Sequence, residues 1–206
     1  MRITERRIEI YTSILLAATS LLTAWCAYQA SAWASNQATA AQAAGRLRTE
    51  ANAAYIRGGQ FNIVDVTTYA DWVNAFYKKD FALADFYRER FTPDFAPAFE
   101  AWLATDPLQN SNAPKTPFAM PEYQQSSYVK AVELEKQADE QSDAFATANA
   151  LSTAYVRNTL LFATTLFLCS MIGRIEVRGA KMALLAMATL IMLAGATNAV
   201  MMARAW

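Results

Sequence analysis

Residues 10–33 read IYTSILLAATSLLTAWCAYQASAW and contain no charged side chain. As an α-helix this stretch is about 36 Å long, because each helical residue adds 1.5 Å. That length exceeds the hydrocarbon thickness of a bilayer, which is about 30 Å. Trp25, Tyr28 and Trp33 gather near its far end, where amphipathic rings favour the membrane interface. The stretch therefore predicts a transmembrane helix that ends at a membrane surface.

Two further apolar runs, 155–173 and 182–203, follow later in the chain. Only Asn198 and two threonines interrupt the run 182–203. Arg157 and Asn158 stand near the start of the run 155–173, and we expect both to lie at its outer edge with their polar ends in the headgroup region. The sequence thus predicts three spans and a middle region, 35–154, that carries 15 acidic and 10 basic residues.

The basic residues near the span ends predict the orientation. We expect one set to share the cytoplasmic side, because loops on that side are enriched in Lys and Arg: Arg2, Arg6, Arg7, Arg174, Arg178 and Lys181. The N-terminus is then cytoplasmic, and residues 35–154 and the C-terminus lie outside. The alternative is a cleaved signal peptide, because Ala32-Trp33-Ala34 matches an A-x-A site. The apolar run is, however, longer than the 7–15 residues typical of such peptides.

A row of small residues follows steps of four and three along the first helix and beyond the membrane. It consists of Ser13, Ala17, Ser20, Ala24, Ala27, Ser31, Ala34, Ala38, Ala41 and Gly45. We call this row the small-residue face. Small residues let another helix backbone approach closely, and in lipid such packing associates helices. The sequence therefore predicts a helix-packing face over 13–45, with a partner that carries larger residues.

Two partners are open for that face. Residues 121–155 contain no Gly and no Pro after Pro121, which suits a first helical turn, and they predict a helix that runs directly into the second span. One row of this helix also steps by four and three: Leu134, Ala138, Gln141, Phe145, Ala148, Ser152 and Tyr155. The two helices would then form an antiparallel stalk. The alternative partner is the same face of another subunit.

The third span has a smaller packing pattern of its own. Gly195, Ala199 and Ala203 follow a small-xxx-small spacing, and Asn198 lies beside them. Buried amides in membranes often join helices by hydrogen bonds. We therefore expect these four residues to pack against another span.

The segment 55–102 contains 13 aromatic residues and predicts a small helical cap. Gly58-Gly59 resembles a C-cap that ends the first helix, and Ile63, Val66, Ala70, Val73 and Tyr77 predict the buried face of a new helix over 62–79. Further helices are expected over 80–91 and, capped by Asp94, over 95–104. An irregular Pro-rich loop follows at 106–121. The aromatic residues form either a core or a binding surface; the candidate surface consists of Trp72, Phe76, Phe95, Phe99 and Trp102.

The sequence lacks the residues that several classes of catalytic and binding site require. The sequence contains no His, so the Ser-His and Cys-His catalytic arrangements are excluded. No phosphate-binding or dinucleotide motif occurs, no basic stripe suggests nucleic acid, and no ionisable residue lies deep in a span, where proton pumps and ion pumps usually place one. We therefore expect no enzyme activity, no cofactor, no metal site and no nucleic-acid partner.

Four stretches together resemble a family of uncharacterised bacterial inner-membrane proteins. These are TAWCAYQASAW, RERFTPDFAPAFEAWLATDPL, PFAMPEY and AVELEKQADEQSDAFATANAL. The resemblance covers roughly residues 10–203. It implies a bacterial inner-membrane protein with one N-terminal span, a helical outer portion and two C-terminal spans. It implies no catalytic or binding residue.

These observations predict an all-α integral membrane protein with three transmembrane helices, a helical stalk and a small aromatic cap. We expect a transmembrane helix at 1–34, an extracytoplasmic helical domain at 35–154 and a transmembrane hairpin at 155–206. The small-residue face favours an oligomeric membrane scaffold or passive pore, with the lipid bilayer and further copies of the chain as partners. The alternative is a ligand-sensing or accessory subunit that acts through another membrane protein.

Overall fold

The structure is a computed structural model that describes residues 2–204, with side chains from residue 5 onward. Met1, Ala205 and Trp206 lie outside the described residues. The side chain of Arg2, one of the basic residues from which the orientation is predicted, also lies outside them. The described part of the chain is helical and contains no strand. Its helices are α1 (Arg2–Tyr77), α2 (Phe81–Arg88), α3 (Ala96–Leu103), a short 3₁₀ helix (Pro117–Ala119), α4 (Ser126–Ile172) and α5 (Arg178–Arg204).

Three of these helices, α1, α4 and α5, are long and apolar enough to cross a membrane. They contain the three apolar runs of the sequence, because an uninterrupted apolar stretch of this length satisfies all its backbone hydrogen bonds as a helix. The predictions of an all-α chain and of three helices with the length and composition of spans are confirmed. The helix after the cap also runs into the second apolar run without a break, as expected.

The first helix does not end at Gly58 and Gly59, and this prediction is wrong. α1 continues to Tyr77 and includes the expected separate helix over 62–79. A Cβ atom on Gly58 would lie only 2.6 Å from Cε1 of Tyr128, which comes from α4. Gly58 therefore makes room for an aromatic ring, and the helix passes through it.

Two other expected helix starts are also corrected. Asp94 does not cap α3, whose N-cap is Phe95 and has no side-chain capping bond. Instead, Oδ2 of Asp94 accepts hydrogen bonds from the backbone N–H of Ser126 at 2.9 Å and from its hydroxyl at 2.8 Å. Asp94 thus satisfies an open N–H at the first turn of α4. That helix begins at Ser126, so Pro121 lies in the preceding turn region.

The density of contacts divides the chain into two compact units. Unit 1 comprises residues up to Gln42 and from Ser142 onward, and unit 2 comprises Ala43–Gln141. α1 and α4 each contribute to both units. The domain limits that the sequence suggested, 1–34, 35–154 and 155–206, stay a prediction.

Unit 1 packs α1, α4 and α5 around two apolar clusters. In one cluster Ile8 of α1 contacts residues from the end of α4 and the start of α5, including Ile172 and Leu185. In the other, Cys26 of α1 packs with Phe162 and Ala199 and their neighbours. Early residues of α1 therefore meet late residues of α4, so the two helices run antiparallel within this unit.

Unit 2 joins α1 and α4 to the aromatic cap. The hydroxyl of Tyr55 donates to Glu135 at 3.1 Å, and Arg48 forms an ion pair with Asp139 at 3.5 Å. The cap core is a cluster of buried side chains: Trp72, Ala75, Ala84, Phe91, Phe95, Phe99 and Trp102. Aromatic side chains bury a large area each, so this cluster supplies most of the unit's apolar stabilisation.

The row predicted on α4 is confirmed as a packing face. Ala138, Ala148 and Tyr155 are buried, and the other four members of the row are partly buried. The hydroxyl of Ser152 donates to the carbonyl oxygen of Ala30 at 3.0 Å, which ties α4 to α1 within unit 1. The four-three spacing therefore identified the correct face of this helix.

Candidate functional site

Every residue of the small-residue face is exposed in the single chain. These are Ser13, Ala17, Ser20, Ala24, Ala27, Ser31, Ala34, Ala38, Ala41 and Gly45. A Cβ atom added at Gly45 would meet nothing within 4 Å. The first of the two partners, residues 121–155 of the same chain, is therefore wrong for this face. Contact with another subunit stays a prediction.

The face of α1 that does pack is one residue earlier in the sequence. Thr12, Thr19, Cys26, Ala30, Ala40 and Ala44 are all buried, and each directly precedes a member of the small-residue face. One residue corresponds to 100° around an α-helix, because a turn contains 3.6 residues. The small-residue face thus lies beside the packed face and leaves room for a further helix.

The buried face predicted for 62–79 is also wrong by one residue. Ile63, Val66, Ala70 and Tyr77 are exposed and Val73 is only partly buried. The residues just before two of these positions, Asp65 and Trp72, are buried instead. The apolar row of this part of α1 is therefore an outer face.

The exposed surface of the first span has two different sides. Large side chains cover one side, at between 46% and 73% exposure: Ile10, Tyr11, Ile14, Leu21, Trp25 and Tyr28. Only Ala and Ser stand on the small-residue face within the same span. Large apolar side chains suit contact with lipid tails, whereas small ones let a helix backbone approach. The division separates a lipid-type surface from a packing-type surface on one helix.

Two of the three serine hydroxyls of the small-residue face have partners in their own helix. Ser13 donates to the carbonyl oxygen of Glu9 at 2.9 Å, and Ser20 donates to that of Ala17 at 2.8 Å. Such bonds satisfy a hydroxyl without water. The face can therefore be covered by another apolar helix without leaving these donors unpaired.

Inside unit 1 an asparagine pair links the second and third apolar runs. Nδ2 of Asn198 donates to Oδ1 of Asn158 at 3.0 Å. Asn158 is fully buried, so the expectation that its side chain reaches the headgroup region is wrong, whereas Arg157 is exposed as expected. The difference arises because Asn158 continues the buried row of α4 after Tyr155. Its own Nδ2 has no hydrogen-bond partner among the described residues. The position of Arg157 and Asn158 at the outer edge of the span stays a prediction.

Most of the small residues predicted on the third span are also packed. Gly195 and Ala199 are buried, whereas Ala203 is exposed. A Cβ atom on Gly195 would lie 2.7 Å from Cε1 of Phe162. This glycine therefore permits close contact between the two C-terminal helices.

The aromatic residues proposed as a cap surface form a core instead. Trp72, Phe95, Phe99 and Trp102 are buried, and Phe76 is partly buried. The ring of Trp72 meets that of Phe99 edge-on, with centroids 4.8 Å apart. Such edge-to-face contacts add to the stabilisation that burial provides. The prediction that these five residues form an exposed binding surface is therefore wrong. Trp72, Phe76 and Trp102 do, however, line a cavity at the edge of this core.

A buried carboxylate holds the cap together. Asp65 of α1 is 1% exposed. Its Oδ1 accepts from the hydroxyl of Thr92 at 2.6 Å, and its Oδ2 accepts from that of Tyr123 at 3.1 Å. Burial, and then the charge of Asp65, raise the pKa of Tyr123. Asp65 is not among the residues predicted from the sequence. The signal that points to it is its place one turn before Tyr69 and two turns before Trp72, on the aromatic side of α1.

The amide of Gln125 connects the loop before α4 to the backbone of α1. In the orientation that satisfies both amide atoms, Nε2 donates to the carbonyl oxygen of Gly58 at 2.6 Å, and Oε1 accepts from the N–H of Asn62 at 2.9 Å. In a regular α-helix that carbonyl and that N–H bond to each other. Gln125 is buried and thus fixes this loop against the middle of α1.

The charged turn Tyr87-Arg88-Glu89-Arg90 forms local contacts. Arg88 makes a two-pronged contact with Glu100, at 2.8 and 2.6 Å, and this hydrogen bonding raises the pKa of Arg88. The guanidinium of Arg90 lies 3.4 Å from the ring centroid of Phe86. Both cations are thus engaged on the cap itself.

Comparison with protein families, with curated proteins and with solved structures finds no match for this chain. The resemblance to a family of uncharacterised bacterial inner-membrane proteins therefore stays a prediction.

Proposed function

We propose that this protein is a membrane-anchored scaffold that self-associates through the small-residue face of α1. The observation that carries this proposal is that all ten residues of that face are exposed in the single chain, beside a side of the same span that is covered by large apolar residues. Apolar helices in lipid gain little from the hydrophobic effect, so they associate through close packing of small residues. A second copy of the chain supplies a long helix that can pack in this way.

A packed scaffold is favoured over a passive pore. A water-filled pore needs polar groups that face the channel, as in the known channel linings. The hydroxyls of Ser13 and Ser20 bond to their own helix, and the remaining members of the face within the span are alanines and Ser31. We therefore assign the face to helix contact.

The proposed setting is a bacterial inner membrane, with the N-terminus in the cytoplasm and the middle region and C-terminus outside. The cluster around Ile8, Ile172 and Leu185 supports a shared side for the basic residues near these positions. Arg6 and Arg7 precede Ile8, and Arg174, Arg178 and Lys181 lie between Ile172 and Leu185. Basic residues at one end of a helical bundle favour the cytoplasmic side.

Replacing Ala24 with leucine should weaken self-association. The larger side chain prevents close approach of helix backbones, and we expect the dissociation constant to rise about tenfold or more, which corresponds to about 1.4 kcal/mol. Native mass spectrometry or cross-linking of the full chain in mild detergent measures this. Ala38→Leu tests the same face beyond the apolar run.

Ala163→Leu is the matched control, because Ala163 is exposed on the second apolar run and lies outside the small-residue face. It should leave association unchanged. Since Ala24 and Ala38 are exposed, their replacement should not disturb the fold of the single chain. A strictly monomeric wild-type protein would remove the basis of the proposal, and a co-purifying membrane protein would then support the accessory-subunit alternative.

Cysteine labelling in intact cells should report the proposed orientation. Cys26 and Cys169 are buried, so the native background is expected to be low. A membrane-impermeant maleimide should label Gln60→Cys in intact cells and Glu176→Cys only after the cells are opened. Both positions are exposed in the structure. Labelling of Glu176→Cys but not Gln60→Cys in intact cells would reverse the orientation.

A further inference from the structure

The cap of unit 2 contains a cavity that its aromatic core does not fill. The cavity measures about 210 Å³ and lies between α1, α3 and the loop that follows α3. Its walls include Tyr69, Trp72, Phe76, Trp102, Leu103 and Leu108. A cavity of about 150 Å³ with apolar walls holds benzene. The space is thus suited to one aromatic ring with a small substituent.

One charged residue lines this cavity. Lys115 is exposed and belongs to the cavity's lining, and no carboxylate of the described residues lies within ion-pair distance of it. The positive charge of Lys115 is therefore not neutralised by an ion pair with any described residue. The electrostatics of the cavity consequently favour an anion.

Tyr69 belongs to the same lining and carries a second polar group, its hydroxyl. No hydrogen bond to it is formed within the described residues, whereas the indole N–H of Trp102 is already bonded to the carbonyl oxygen of Pro114 at 2.7 Å. Burial, and then the neighbouring Tyr77, raise the pKa of Tyr69, so this hydroxyl keeps its proton and can donate. The lining thus combines aromatic walls with one cation and one open hydroxyl.

We propose that the cap cavity binds a small aromatic carboxylate, with the ring between the aromatic walls and the carboxylate towards Lys115 and Tyr69. A neutral apolar ligand would leave the hydroxyl of Tyr69 without a partner and would gain no attraction from Lys115, which is exposed. An aromatic ammonium ion would be repelled by Lys115. The proposal does not depend on self-association, so either can fail without the other.

The test is a titration of the full chain in lipid nanodiscs with three single-ring probes: phenylacetate, neutral phenylacetamide and cationic phenethylamine. Saturation-transfer NMR yields each dissociation constant, and empty nanodiscs give the contribution of lipid partitioning. We expect saturable binding of phenylacetate, about twofold to fivefold tighter than that of phenylacetamide, because an ion pair with an exposed lysine is weakened by water.

The substitution Lys115→Met keeps the length of the side chain and removes its charge. It should abolish the preference for phenylacetate over phenylacetamide, while Lys130→Met, an exposed lysine on α4 outside this cavity, should leave it unchanged. Failure of phenylacetate to saturate, equal binding of all three probes, or an unchanged preference in Lys115→Met would each overturn the proposal.

Discussion

Replacing Asp65 with leucine is expected to lower the free energy of unfolding of unit 2 by about 1–3 kcal/mol, because the hydroxyl of Thr92 loses its acceptor. The hydroxyl of Tyr123 keeps one other acceptor, Oε1 of Gln125 at 3.0 Å. Thr92 and Tyr123 both donate to this carboxylate. The hydroxyl oxygen of Thr92 in turn accepts from the N–H of Phe95 at 3.3 Å, just before α3. Loss of the carboxylate therefore loosens α1, the turn before α3 and the loop before α4 together.

Hydrogen–deuterium exchange of the full chain measures this effect segment by segment, because local opening has its own free energy. The increase in exchange should be confined to unit 2, and the buried helices of unit 1 serve as the internal reference. A graded series sharpens the test. Asp65→Asn keeps one acceptor and should cost less than Asp65→Leu, and Tyr123→Phe, which removes one donor, should cost about 1 kcal/mol.

The opposite outcome is also informative. A buried carboxylate without a cation partner carries a desolvation cost, and replacement of buried charged groups by apolar ones sometimes stabilises a protein. If Asp65→Leu exchanged as slowly as the wild type in the cap, the hydroxyl contacts would not hold these three segments together, and the account of the cap given above would be wrong.

The elements that sequence predicts well here are those set by composition alone. The three apolar runs lie within α1, α4 and α5, because only helices can satisfy every backbone group over such a length in lipid. The packing row of α4 was also identified correctly, since its large members Leu134, Phe145 and Tyr155 alternate with alanines and contrast with the charged residues between them. The packing face of α4 could be predicted because its residues differ in polarity and size from those beside them.

The packed face of α1 could not be chosen in the same way. Small residues occupy two adjacent rows, for example Ala40 and Ala41, and Ala44 and Gly45, so size and polarity do not distinguish the row that contacts α4 from the row beside it. Tyr155 and Phe162, the large residues of α4 that pack around Cys26, decide which face of α1 is buried. The buried face of α1 can therefore be identified only once the helices have packed together.

The Asp65 cluster depends on contacts between residues far apart in the chain. Thr92 and Tyr123 follow Asp65 by 27 and 58 residues, and no local spacing relates them. A single aspartate in an apolar stretch also resembles an ordinary surface residue in sequence. The cluster therefore becomes visible only once the cap has closed around α1.

Alanine substitutions at Gly58 and Gly59 are expected to change stability in opposite directions. A Cβ atom at Gly58 would lie 2.6 Å from Cε1 of Tyr128, whereas one at Gly59 would lie 3.8 Å from its hydroxyl oxygen, an ordinary contact. Both glycines lie inside α1, where alanine is favoured over glycine by about 1 kcal/mol. Gly59→Ala should therefore stabilise unit 2 by up to about 1 kcal/mol.

Gly58→Ala should instead destabilise unit 2 by up to about 2 kcal/mol, because an overpacking cost of about 1–3 kcal/mol is only partly offset by a gain of about 1 kcal/mol in helix propensity. Hydrogen–deuterium exchange of α1 around these residues measures both effects. Gly45→Ala, where a Cβ atom meets nothing within 4 Å, is a second control and should stabilise the helix. In a Tyr128→Ala background the penalty at Gly58 should vanish. If Gly58→Ala stabilised the protein as Gly59→Ala does, Gly58 would not be needed for the passage of the Tyr128 ring.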